Sequence, residues 1–134
     1  MISPALHRFI DRVIAAGRIA ADDVRHLHRD ILEDGITSRA VADALLALDR
    51  MLEADPIWSD FLTPAIVNYA VWGSRPTGAI TAETAGWLLT ALTIGDPTPT
   101  ALRILEEILS EAQEVDPALL LHAWRSTMPR ARAA

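Results

Sequence analysis

The chain matches itself when it is shifted by 61 residues, and this internal repeat constrains its fold more than any other feature of the sequence. The matched residues fall at turns and helix starts, where the backbone needs particular residue types. They are Gly17 and Gly78, Ile19 and Ile80, Ala21 and Ala82, Leu27 and Leu88, Thr37 and Thr98, Ala40 and Ala101, and Asp55-Pro56 and Asp116-Pro117. The match needs no gap. It predicts a duplication in which residues 17–56 and 78–117 form two similar helix–turn–helix pairs.

The first copy and the segment before it have the periodicity and the boundary residues of consecutive helices. Ser3-Pro4 provides an N-cap followed by proline at the first helical position, and Gly17 ends that helix. A second helix is predicted over about residues 21–33, because apolar residues recur there at helical spacing. Thr37 or Ser38 then caps a third helix with a continuous apolar stripe.

A central helix, predicted over residues 56–72, separates the two copies and is followed by a linker at 73–78. Pro64 lies inside this helix and should kink or split it, because proline lacks the N–H of the helical hydrogen bond. The second copy repeats the plan, and no stretch alternates long enough to predict a sheet. The sequence therefore predicts one all-α domain over residues 1–134, with about seven helices and the two pseudo-repeats around the central helix.

The composition indicates an acidic globular protein without cysteine. Apolar residues make up 51% of the chain, which is enough for a buried core. All twelve basic residues are arginine, which indicates a GC-rich bacterial genome, and they are scattered among 18 acidic residues. Nucleic-acid binding needs a concentrated basic face instead. The sequence also lacks an apolar run of about 20 residues and a secretory signal pattern, so we expect a cytoplasmic protein without nucleic-acid or membrane partners.

Three turns in which a glycine shortly precedes an isoleucine resemble the second half of an EF-hand loop. They are Gly17-Arg18-Ile19-Ala20, Asp34-Gly35-Ile36-Thr37 and Gly78-Ala79-Ile80-Thr81. Together with Trp58-Ser59-Asp60-Phe61, they also make the chain similar to the tellurite-resistance TerB-like helical domains and to small bacterial helical proteins with a central Trp-x-Asp-Phe segment. This resemblance implies a helical fold and an association with metal and stress responses through clusters of acidic residues.

The glycine turns lack the ligands of a calcium site. An EF-hand loop needs oxygen ligands at positions 1, 3, 5 and 12, with glycine at position 6. If Gly35 takes position 6, Leu32 and Val41 fall at positions 3 and 12, where neither side chain offers an oxygen. The loops built on Gly17 and Gly78 match less well. We therefore interpret all three turns as structural, without calcium binding.

A row of polar residues on the second helix is the nearest counterpart to a metal site. Asp22, His26 and Asp30 are spaced four residues apart, so their side chains should share one helix face. A carboxylate–imidazole–carboxylate row is suited to zinc or manganese. A solvated helix face explains the same residues, since acids at a helix start are favoured by the helix dipole.

Aromatic residues concentrate around the central helix. We expect Trp58 and Phe61 to fill the core, because indole and phenyl rings bury large apolar surfaces. Tyr69 and Trp72, near the linker, are the candidates for a partner-binding surface, since tyrosine and tryptophan dominate binding hot spots. Of these, Trp72 beside Gly73 is expected to be the most exposed.

The motifs favour a binding protein over an enzyme. The sequence has no Gly-rich phosphate loop, no His-Glu-x-x-His and no Gly-x-Ser-x-Gly. We expect a non-enzymatic bacterial protein-interaction or scaffold domain with an unidentified protein partner and no cofactor, and we leave self-association to a homo-oligomer open. The alternative is a TerB-like metal-responsive or metal-binding stress protein that uses Asp22, His26 and Asp30.

Overall fold

The computed structural model describes residues 2–73, 77–93 and 97–121. It is mostly helical, and the predicted all-α class is confirmed. Its contacts divide the chain into two compact units, Met1–Ile66 and Val67–Ala134, which we call unit 1 and unit 2. The boundary lies inside the central helix and not in the predicted linker, of which residues 74–76 are outside the described part.

Unit 1 is built from helices whose ends follow the residues that the sequence singles out. They are α1 (Pro4–Ala16), α2 (Ala21–His26), α3 (Arg39–Met51) and the first part of α4 (Pro56–Trp72). The Ser3 hydroxyl accepts the Leu6 N–H at 3.2 Å, and Gly17 ends α1 with φ of +79°. Helix α2 runs directly into a π-helical segment, Leu27–Ile31, closed by a bond from the Leu32 N–H to the Leu27 carbonyl.

Unit 2 contains the end of α4, then α5 (Ala82–Thr93) and α6 (Pro99–Glu111), and residues 117–121 are also helical. Pro64 does not split the central helix, because α4 is one continuous helix from Pro56 to Trp72. Pro64 is exposed, so its ring faces solvent. The turn at Gly78 has φ of +82°, close to the value at Gly17.

Two pairs of very short parallel strands were not predicted from the sequence. In unit 1, β1 (Arg18–Ile19) pairs with β2 (Glu53–Ala54); in unit 2, β3 (Ala79–Ile80) pairs with β4 (Glu114–Val115). Adding 61 to each residue number of the first pair gives the second pair. Strands of two residues are too short to produce an alternating pattern, so hydrophobic periodicity could not predict them.

One backbone hydrogen bond in each unit ties the start of a helix to the glycine turn. The Asp55 N–H donates to the Ile19 carbonyl at 2.9 Å, and the Asp116 N–H donates to the Ile80 carbonyl at the same distance. Both isoleucines are buried. Each Asp-Pro pair therefore starts a helix and also fixes where that helix sits on the preceding turn.

The 61-residue correspondence between the two units fails in the third helix of each unit, which is α3 in unit 1 and α6 in unit 2. Helix α3 is capped by Ser38, whose hydroxyl accepts the Val41 N–H, while α6 is capped by Thr98, whose hydroxyl accepts the Ala101 N–H. These caps are 60 residues apart, whereas the strands on either side of them keep a spacing of 61. The identity of Thr37 and Thr98 in the ungapped match is therefore not a structural equivalence.

The aromatic residues of unit 1 are buried to different extents. Trp58 is only 1% exposed, as predicted, and its indole Nε1–H donates to Asp49 at 3.1 Å. Phe61 is half-buried, and its ring lies 6.1 Å from Trp58 and 5.4 Å from the His28 ring. The core of unit 1 thus includes Trp58 fully and Phe61 only in part.

Candidate functional site

A groove of about 330 Å³ lies between α1 and the turn of helix that follows α2 in unit 1. Ala5, Arg8, Phe9 and Arg12 form one wall on α1. His26, Asp30 and Ile31 form the other wall, and two of these belong to the π-helical segment. π-helical turns occur frequently at functional sites, because they interrupt the regular helix.

The α1 wall carries two arginines, and the guanidinium group of one of them, Arg12, lies over an aromatic ring. Arg8 and Arg12 are one helical turn apart, so both side chains leave the same face of α1. The Arg12 Cζ atom lies 5.6 Å from the centre of the Phe9 ring, and an Arg12 nitrogen contacts an Asp23 oxygen at 3.4 Å. Arg8 is exposed and makes no ion pair within the described residues. This wall is therefore cationic, and one of its two charges has no ion-pair partner in the part of the chain that the structure describes.

The opposite wall holds an imidazole–carboxylate pair. The His26 Nδ1 atom and the Asp30 Oδ2 atom are 2.9 Å apart, and the two side chains are 43% and 52% exposed. Since an ionised carboxylate can only accept, the Nδ1–H of His26 donates in this bond. An ion pair this exposed contributes at most about 1 kcal/mol to stability, so the pair is not explained by stability alone.

The three side chains of the predicted metal row do not converge. His26 and Asp30 meet, whereas the Asp22 carboxylate contacts Arg25 at 2.7 Å and its side chain is 95% exposed. The reason is local, because a cation three residues along the helix lies within reach of Asp22. Within the described residues, no three histidine, aspartate or glutamate side chains are placed to hold a metal ion.

The two predicted partner-binding residues, Tyr69 and Trp72, lie in unit 2 and have neighbours there. The half-buried Tyr69 ring meets the Trp87 ring edge-on, with the ring centres 5.7 Å apart and the planes at 83°. Trp72 is 37% exposed, and its Nε1–H donates to Glu111 at 2.9 Å. A ring atom of Trp72 also lies 3.2 Å from the point where a Cβ on Gly78 would be.

At the 61-residue spacing of the repeat, the aromatic pair of unit 2 corresponds to residues that line the groove in unit 1. Tyr69 is 61 residues after Arg8, Trp87 is 61 residues after His26, and Ala91 is 61 residues after Asp30. The buried positions of these helices agree at the same spacing; the pairs are Leu6 and Val67, Phe9 and Ala70, Val24 and Ala85, and Leu27 and Leu88. The same place in the repeat therefore carries exposed charges in unit 1 and packed rings in unit 2.

Sequence reasoning found His26 and Asp30 but missed Arg8 and Arg12. Arginines on the polar face of an amphipathic helix are indistinguishable from ordinary solvated residues. The signal that was available is the repeat, since the matched positions exchange arginine and histidine for tyrosine and tryptophan.

Comparison with models of protein families, with curated proteins and with solved structures gives no match to this chain. Among the helices of the described ranges, none combines the length and the apolar character needed to cross a membrane. The site must therefore be interpreted from its own chemistry.

Proposed function

We propose that this chain is a non-enzymatic protein-interaction or scaffold domain whose unit 1 groove receives a segment of a partner protein. One observation supports the proposal above the others: unit 1 keeps an open charged groove where unit 2 has a packed Tyr69–Trp87 pair. Packed rings stabilise a small helical unit more effectively than exposed charges do. Keeping charges at that position in unit 1 is therefore better explained by binding than by folding.

The chemistry of the groove suits a protein segment. Ala5 and Ile31 offer apolar surface, and arginine is among the residues enriched in binding hot spots. A guanidinium held over a ring, as Arg12 is over Phe9, loses less conformational freedom on binding than an unsupported one. The proposal places the first contact of the partner at Arg8 and Arg12.

The metal-binding alternative has weaker support. It depends on His26 and Asp30, since Asp22 contacts Arg25 instead. Structural zinc sites use four protein ligands and catalytic zinc sites use three. We retain it only as a hypothesis for direct test.

Site-specific photo-crosslinking tests the proposed function. A photoreactive amino acid replaces Ala5 at the edge of the groove, and crosslinked products are compared in host cells expressing the parent chain and the Arg8→Glu/Arg12→Glu variant. We expect a discrete product that the charge reversal abolishes. Arg29→Glu is the matched control, because Arg29 is an exposed arginine of unit 1 outside the groove and should leave the product unchanged.

Two outcomes would contradict the proposal: no discrete product at Ala5, or a product that survives the reversal of both arginines. Thermal melting of each variant, monitored by circular dichroism, distinguishes a loss of the product through weaker binding from a loss through unfolding.

A further inference from the structure

We propose that the groove recognises a segment in which an acidic and a basic side chain lie close together, with the acid on the α1 wall and the base at Asp30. This inference rests on the proposed function and adds the chemistry of the partner. Its basis is that the two walls carry opposite charges that do not neutralise each other.

The α1 wall is complementary to a carboxylate. Arg8 has no ion-pair partner in the described part of the chain, and the contact of Arg12 with Asp23 is long at 3.4 Å. Guanidinium groups bind carboxylates through paired N–H donors. A glutamate or aspartate of a partner can therefore bond Arg8 without first displacing an internal partner.

The opposite wall is complementary to a cation. Only Oδ2 of Asp30 bonds His26, and Oδ1 makes no hydrogen bond within the described residues. No ion pair joins Asp30 to Arg8 or Arg12 across the groove in that part of the chain. The negative charge of Asp30 is therefore open to a lysine or arginine of the partner.

The same arrangement argues against a phosphorylated segment. A phosphate carries a charge of about −1.5 to −2 near neutral pH, and Asp30 would repel it from the wall opposite the arginines. The excess of acidic residues over the whole chain, a formal net charge of −6, adds to this repulsion at long range. A carboxylate accompanied by a cation avoids both penalties.

The test uses four short acetylated and amidated peptides on one glycine–serine–alanine frame. The first carries a glutamate and a lysine separated by one residue, and the second and third carry the glutamate alone and the lysine alone. The fourth is the glutamate-only peptide with a phosphoserine in place of the glutamate. Each is titrated to millimolar concentration into the full ¹⁵N-labelled chain, and backbone amide shifts of the groove residues give the dissociation constant.

We expect the glutamate–lysine peptide to bind about threefold more tightly than the glutamate peptide, which is the scale of one exposed ion pair. The lysine peptide should produce no saturable shift. Asp30→Asn should remove the threefold advantage and should not weaken the glutamate peptide, because the substitution removes a repulsive charge, whereas Arg8→Gln should weaken both glutamate-containing peptides. Arg29→Gln is the control that should change none of these constants.

Three results would overturn the inference: a lysine that gives no advantage in the parent chain, a phosphoserine peptide that binds more tightly than the glutamate peptide, or no peptide-induced shift at the groove. The first two would leave the groove as a docking site for another chemistry, so the proposed function would stand. Crosslinking at Ala5 tests that function independently of any peptide.

Discussion

Unit 1 and unit 2 share a left-handed glycine before matching pairs of short parallel strands, but they differ at one position of the repeat. Gly17 and Gly78 have φ values of +79° and +82°, and the parallel strand pairs have matching registers. At the position between the first two helices, however, unit 1 has the groove and unit 2 has the Tyr69–Trp87 pair. The two units thus keep the same backbone hydrogen bonds between turn and strand, while side chains on the outer helix faces differ.

The largest effect is expected where the two units fill the same core position with different volumes. Trp58 and Leu119, 61 residues apart, are 1% and 0% exposed. Trp58→Ala should lower the free energy of unfolding by about 3–5 kcal/mol, because it leaves a cavity. Urea denaturation measures this. Trp58→Phe is the control that removes the bond to Asp49 with a smaller loss of volume, with an expected loss of about 1–2 kcal/mol. A Trp58→Ala loss below that of the control would contradict the core assignment.

The two glycine turns should differ in their sensitivity to alanine. A Cβ on Gly17 meets no atom within 4 Å, whereas one on Gly78 would lie 2.9 Å from the Gln113 side chain and 3.2 Å from Trp72. Gly17→Ala should therefore cost about 1 kcal/mol from the backbone alone, and Gly78→Ala about 1–3 kcal/mol. Equal costs in urea denaturation would mean that the side chains around Gly78 move aside freely.

Trp72 provides a test of the predicted binding surface in unit 2. The sequence predicts that this residue tolerates change, but its indole lies against the Gly78 turn and bonds Glu111. We expect Trp72→Ala to lower stability by about 1–2 kcal/mol, through lost packing and one lost hydrogen bond. Trp72→Phe keeps much of the packing and should lose less. If Trp72→Ala leaves the melting curve unchanged, a partner-binding role for Trp72 becomes the better explanation.

Exchanging side chains between the units is the most direct test of the comparison. Arg8→Tyr/His26→Trp places the aromatic pair of unit 2 in the groove of unit 1. The variant should gain about 0.5–1.5 kcal/mol from the ring contact and lose the crosslink at Ala5. The reverse change, Tyr69→Arg/Trp87→His, should destabilise unit 2 by a similar amount. A marked loss of stability in the first variant would show that the two positions are not equivalent.

The smallest effect is expected from metal ions. Zinc or manganese should leave the melting temperature unchanged, because a stabilising ligand must bind the folded state. Of the three predicted ligands Asp22, His26 and Asp30, only the last two meet. Asp22→Asn and His26→Ala are the controls. A rise in melting temperature that either substitution abolishes would favour the metal-binding alternative over a protein partner.

The sequence predicts the helix ends well, because the residues at those ends act locally. Ser3, Thr98 and Asp55 each accept a backbone N–H two or three residues along the chain, so their effect does not depend on distant contacts. The left-handed turn at Gly17 is equally local, since a positive φ depends on the absence of a Cβ. Such features can be derived from a few neighbouring residues.

The groove and the strands could not be predicted in the same way, because both depend on distant residues. Ile19 pairs with a residue 35 positions later, and Arg12 and Asp30 line one groove from two different helical segments. The spacing of Asp22, His26 and Asp30 allows one shared face, but the competing contact with Arg25 decides where the Asp22 carboxylate goes. The periodicity of a sequence predicts which face of a helix a side chain lies on. It does not determine which of two neighbouring side chains that side chain contacts.

The strand pairs also have a kinetic consequence. Each pair joins residues 35 positions apart, so each unit must close a loop of the same length before the Asp55 or Asp116 hydrogen bond can form. The entropy of loop closure depends mainly on loop length, and contacts between distant residues slow folding more than local ones do. The two halves of this chain therefore close loops of equal length, and a difference in their folding rates would report on contacts other than the strand pairs.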